Sequence, residues 1–82
     1  MQEIIRVSDV IVIEVCDDVV GIKVNGIYWW ECRLTMDSDF IMDSLRPALY
    51  GAMRAKGDTL LGDHSLWAKI SRKIRLTKGE EL

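Results

Sequence analysis

The sequence predicts an α+β fold: a three-stranded antiparallel β-meander followed by two α-helices packed on one face of the sheet. Three observations predict it. The first third of the chain is β-branched and broken at short intervals by turn residues, as in VIVIEVC, VVGIKV and IYWWECRL. An Asn25-Gly26 pair stands between the second and third of these runs, and such a pair suits the positive φ angles of a two-residue hairpin turn. After Thr35 the apolar period changes to a helical one.

The strands come first, over about residues 10–35. A tight turn at Asn25-Gly26 sets Val24 opposite Ile27, Lys23 opposite Tyr28, Ile22 opposite Trp29, Gly21 opposite Trp30 and Val19 opposite Cys32. Asp17-Asp18 forms the preceding turn in the same way and pairs Val15 with Val20, Ile13 with Ile22 and Ile11 with Val24. The two registers agree. One face collects Ile11, Ile13, Val15, Val20, Ile22, Val24, Ile27 and Trp29; the other is mixed and carries Val12, Glu14, Cys16, Lys23, Tyr28 and Trp30. Trp29 is therefore expected in the core, and Trp30 on the outer face over Gly21, where a ring repairs the gap a glycine leaves. Glu31 is the awkward residue, because it falls on the core parity. It must sit at the sheet margin, or the strand must bulge; a slip of one residue would exchange the two tryptophans. Cys16 and Cys32 fall on one face but in the outer strands, too far apart to bridge.

The first helix is expected over about 39–56, with Ile41, Leu45, Ala48, Leu49 and Ala52 as its stripe and Asp37, Ser38 and Asp39 as caps and first-turn acids. Gly57 ends it, and Pro47 kinks it by removing the bond to Asp43. Gly51 and the alanines 48, 52 and 55 allow close approach to the sheet. Leu60 and Leu61 tuck inward from the connector. The second helix, over about 64–76, buries Leu66, Trp67, Ile70 and Ile74. The TKGEEL tail is expected to fray. Residues 1–9 are left unassigned, and no linker or repeat divides the 82 residues, so one domain spans 1–82.

Two cysteines without metal spacing, and no secretory leader, suggest a reducing, cytoplasmic compartment. The longest apolar runs stop at Glu14 and Glu31, far short of a membrane span. Net charge is only −2, yet residues 1–45 hold nine acids against three bases and residues 46–82 hold eight bases against four acids. The simplest reading is complementary packing of an acidic sheet against basic helices.

Catalytic motifs are missing. Asp63-His64-Ser65 contains the letters of a triad, but three adjacent residues cannot converge as nucleophile, base and orienter; helix capping explains them. Asp17-Asp18 and Asp37-Asp39-Asp43 match no calcium loop. No phosphate loop, dinucleotide fingerprint or paired-cysteine site is present. The expectation is a non-enzymatic protein with no cofactor and no metal, and no small-molecule substrate.

Two binding surfaces are expected instead. The outer sheet face, with Trp30, Tyr28, Lys23, Val12 and Glu14, has the aromatic-in-polar character of an interface centre. It suits a protein-interaction module that grips another protein or a second copy of itself, against the simpler readings that Trp30 only shields Gly21 or that EIIRV folds over the face. By size and class, small regulators or inhibitors, including those viruses encode, look alike, which is analogy only. The alternative is nucleic-acid binding through the basic arc Lys69, Arg72, Lys73 and Arg75, with Lys78 nearby. Against it stand a sequence pI of about 5.3 and a connector too long for a helix-turn-helix. Arg46, Tyr50 and Arg54, spaced by four on the first helix, form a lesser surface where the side chains stack among themselves.

Overall fold

A computed structural model describes residues 2–57 and 64–80, except the side chain of His64. The expected Leu60–Leu61 burial and the last two residues of the tail lie outside the described part. The class is α+β as predicted, with one strand more than expected. The elements run β1 (Glu3–Arg6), β2 (Ile11–Val15), β3 (Val19–Val24), β4 (Ile27–Arg33), α1 (Ser38–Ala55) and α2 (His64–Thr77). The sheet is antiparallel in the order β1-β2-β3-β4.

The added strand is the N-terminal segment. EIIR pairs Ile4 with Glu14, Ile5 with Ile13 and Arg6 with Val12. It therefore extends the sheet at its edge and does not fold over the outer face. Its link to β2 is built on Ser8, whose hydroxyl accepts from the backbone of Val10 and Ile11 at 3.4 and 3.2 Å, while the Val7 and Ser8 amides both reach the Ile11 carbonyl. Such local side-chain bonds make serine a turn former without glycine or proline.

The β2–β3 register is as expected, but its turn is not. Cys16 donates to the Val19 carbonyl at 2.8 Å around Asp17-Asp18. Only Asn25 among described non-glycine residues takes a positive φ, so the two aspartates close the turn without the positive φ angles of the Asn25-Gly26 turn. Asn25 (φ 52°) and Gly26 (φ 80°) make the β3–β4 turn, and Val24–Ile27 and Lys23–Tyr28 pair as expected.

Beyond that the register changes. Ile22 faces Trp30, Gly21 faces Glu31, Val20 faces Cys32 and Val19 faces Arg33. Trp29 is the extra residue of a β-bulge, which shifts every later side chain of β4 to the other face. The two tryptophans thus exchange their expected places. Trp30 packs against the core, while Trp29 is 47% exposed. The bulge also moves Glu31 out of the core parity, which removes an uncompensated buried carboxylate. Cys32 turns inward against the core, so the two free cysteines do not share a face.

Both helices cover the Ile13–Ile22 face. Ile5, Ile11, Ile13, Val15, Val20, Ile22 and Val24 of the sheet meet Ile41, Leu45, Leu49, Ala52 and Met53 of α1 and Ile70 and Ile74 of α2. Asp37 caps α1, its carboxylate accepting from Asp39 and Phe40 amides at 3.1 and 3.4 Å. Gly57 (φ 70°) ends the helix in the left-handed region. Pro47 sits inside one continuous helix, and both Pro47 and Asp43 are exposed. The small-residue expectation holds for Ala52, which is buried; Gly51 has open space where a Cβ would go and Ala55 is exposed.

Two bases of the C-terminal half pair with acids of the N-terminal half. Lys73 of α2 pairs with Glu3 of β1 at 3.4 Å, and Arg75 with Asp39 of α1 at 3.3 Å. The expected fraying of the tail does not extend to residues 78–80. Lys78 donates to the Met36 carbonyl, the Glu80 amide reaches back to Arg75, and the Glu80 carboxylate accepts from the buried Ser38 hydroxyl at 2.8 Å. Among the described residues, no helix is long and apolar enough to cross a membrane.

Candidate functional site

The face of the sheet turned away from the helices is organised around Glu14. Its position as the fourth residue of β2 places it opposite Ile4 of β1 and Gly21 of β3. The side chain points outward, yet the residue is only 6% exposed, because three neighbours enclose the carboxylate. Oε1 accepts from the Tyr28 hydroxyl at 2.7 Å and from the Cys16 thiol at 3.4 Å, and Oε2 pairs with Lys23 Nζ at 3.1 Å. The Lys23 ammonium also stands 4.9 Å from the centroid of the Tyr28 ring, within cation–π range.

Gly21 makes this geometry possible. A Cβ there would lie 2.4 Å from Tyr28 Cε1 and 2.7 Å from Cδ1. The ring that covers the cross-strand glycine is therefore Tyr28, reached diagonally, and not Trp30. Of the expected contact residues, Tyr28, Lys23 and Glu14 are brought together. Val12 lies beside them, opposite Lys23 and half-buried. Trp30 leaves the set, removed by the bulge. Two residues outside the expected contact set join it: Ile4, 58% exposed on the strand beside Glu14, and Cys16, expected on this face but without a role there. The available signal for Ile4 was the adjacent pair Ile4-Ile5, since neighbouring residues of a strand point to opposite faces.

Electrostatics follow from the contacts. The Tyr28 hydrogen bond holds the Glu14 carboxyl below its ordinary pKa, against the upward push of burial, and Lys23 adds to the lowering. The same bond pushes the Tyr28 hydroxyl up to about 12. Burial, then Glu14, raises the Cys16 thiol, which keeps it protonated and a poor nucleophile. Both oxygens of Glu14 are engaged by donors, so the cluster is a bonded polar centre on a mixed face, where the apolar Ile4 and Val12 and the Tyr28 ring stand with the exposed charges of Arg6 and Glu31.

The alternative surface is less open than the sequence suggests. Lys69 and Arg72 are exposed, but Lys73 and Arg75 are committed to Glu3 and Asp39. On α1 the expected stacking changes partner: Arg46 lies 5.7 Å from the Trp67 ring and Tyr50 packs on the same ring at 5.6 Å. Among the described residues, no group of three His, Cys, Asp or Glu is placed to hold a metal ion. No family model, curated protein or solved structure matches this chain.

Proposed function

We propose that this chain is a non-enzymatic protein-interaction module, a small regulator or inhibitor that docks on another protein, or on a second copy of itself, through the outer sheet face. The observation that carries the reading is the division of the sheet. Both helices pack on one side, while the other side keeps Ile4 and Tyr28 in solvent at 58% and 41% exposure, around a fully bonded Glu14. Exposed apolar and aromatic area beside a bonded polar centre, with the charges of Arg6 and Glu31 around it, suits a specific contact: area from Ile4 and Tyr28, register from the charges. Glu14 already held by Tyr28 and Lys23 costs a partner little further ordering. The basic arc of α2 supports the rival nucleic-acid reading less well, since two of its four bases are already paired with Glu3 and Asp39.

The test compares the native chain with Ile4→Asp/Tyr28→Ala and with Lys69→Glu/Arg72→Glu. Each is used as bait in lysate of the chain's own source, with and without nuclease treatment, and each is weighed alone by sedimentation equilibrium. The proposal expects one defined protein, or self-association, that the first variant loses and the second keeps. Capture that survives the first variant, or that vanishes with nuclease, contradicts it.

A further inference from the structure

On the helical side of the molecule, away from the outer sheet face, one aromatic cluster carries two cations that pair with no acid among the described residues. Arg46, Tyr50 and Arg54 stand at intervals of four along α1, so they share one ridge. Trp67 of α2 packs beside it, its ring 5.6 Å from that of Tyr50 and inclined by 53°. Arg46 lies over the Trp67 ring at 5.7 Å. Tyr50 remains 45% exposed, Trp67 is half-buried, and both arginines are exposed. Neither arginine forms an ion pair among the described residues. Asp43, one turn before Arg46, is exposed and makes no bond to it.

Part of this cluster is structural, since the Tyr50–Trp67 contact fastens α1 to α2. The two guanidinium groups need another account. A guanidinium lying over a ring keeps its in-plane N–H fork free, and that fork fits a carboxylate in bidentate fashion. Tryptophan, tyrosine and arginine are also the residue types that dominate interface energetics. The chain as a whole is acidic, at net charge −2, which disfavours long-range attraction of a polyanion such as nucleic acid. A short carboxylate-bearing segment, recognised at contact distance, fits better.

We propose that the Arg46–Tyr50–Arg54 ridge, with Trp67 beside it, is a second docking surface whose occupant is an acidic peptide segment of a partner protein. Its carboxylates pair with Arg46 and Arg54, and an adjacent apolar side chain rests against Tyr50 and Trp67. The surface lies on the other layer of the fold, so the inference stands whether or not the outer sheet face binds anything. If both hold, the domain bridges two partners.

A random dodecapeptide display library selected on the immobilised full chain tests this. The enriched peptides, made synthetically, are titrated by fluorescence anisotropy against the native chain, Arg46→Gln/Arg54→Gln, Tyr50→Ala and Tyr28→Ala, each checked for folding by circular dichroism. The expected result is enrichment of Asp or Glu next to an aromatic or aliphatic residue. The arginine double variant should lose at least about tenfold in affinity, as charge-assisted bidentate bonds require, Tyr50→Ala should lose binding too, and Tyr28→Ala should leave it unchanged. Absence of enrichment, a consensus without acids, or affinity unmoved by the arginine variant overturns the proposal. So does displacement of the peptide by a twelve-nucleotide polythymidine that binds the ridge more tightly. Because Tyr28→Ala is included, failure here is separable from failure of the outer-face reading.

Discussion

The Tyr28 hydroxyl reaches across β3, over Gly21, to donate a 2.7 Å hydrogen bond to Glu14 on the strand beyond. That bond joins three strands on the face the helices leave open. It ties the local chemistry of a glycine, a tyrosine and a carboxylate to the shape of the whole surface.

Removing the hydroxyl isolates its contribution. Tyr28→Phe keeps the ring over Gly21 but leaves Glu14 with Lys23 and Cys16 as donors. Unfolding in urea should show a loss of about 1 kcal/mol, below the usual range for a hydrogen bond to a charged group because Tyr28 is 41% exposed. The Glu14 pKa, followed by NMR, should rise.

The pH dependence has two limbs of opposite sign. Glu14 has a folded pKa below its unfolded value, so its stabilisation is present above the ordinary carboxylate range and is lost as pH falls through the folded value. Tyr28 has a folded pKa raised to about 12; its stabilisation is complete below its unfolded value and is lost as pH rises from 10 through about 12. Glu14→Gln should therefore cost stability at pH 7 and little in strong acid. Tyrosinate absorbance of the native chain minus that of Tyr28→Phe should show a step near 12.

Gly21→Ala should be destabilising through Tyr28 rather than through backbone strain. The new methyl would stand 2.4 Å from the ring and 3.3 Å from the Trp30 carbonyl oxygen, which costs roughly 1–3 kcal/mol as overpacking does. In a Tyr28→Ala background most of that cost should disappear. A double-mutant cycle measures the coupling, and additive losses would mean that the ring does not cover the glycine.

The tryptophans give the sharpest stability contrast. Trp30→Ala removes a ring packed on the core and should cost about 2–4 kcal/mol, while Trp29→Ala at the exposed bulge should cost less than about 1 kcal/mol. Chemical denaturation of the two variants decides it. The reverse order would restore the unbulged register.

Much of this fold was legible in the sequence, and the failures have physical causes. Asn25-Gly26 specified the hairpin and its first two pairs because turn chemistry acts locally. It could not specify the third pair, because one inserted residue at Trp29 reverses every later side chain. The hint was Glu31, a carboxylate on the wrong parity, and it was enough to raise a bulge without locating it. β1 was missed because EIIR is only four residues long and its turn rests on Ser8, with neither glycine nor proline to mark it. Which of the expected outer-face residues share that face follows from the same causes. Tyr28, Lys23, Glu14 and Val12 lie on the N-terminal side of the bulge or on other strands, and kept their face; Trp30 lies beyond it and did not. The basic arc looked free because sequence shows no partners, and Glu3 and Asp39 are far from it in the chain.

The most direct measurement places a photo-crosslinking amino acid at position 4, on the outer sheet face, and separately at position 69, on the basic arc, in chains expressed in cells of their own source. Irradiation should join position 4 to one defined protein or to a second copy of the chain, with no adduct from position 69. Adducts to nucleic acid from position 69, with none from position 4, would contradict the outer-face reading.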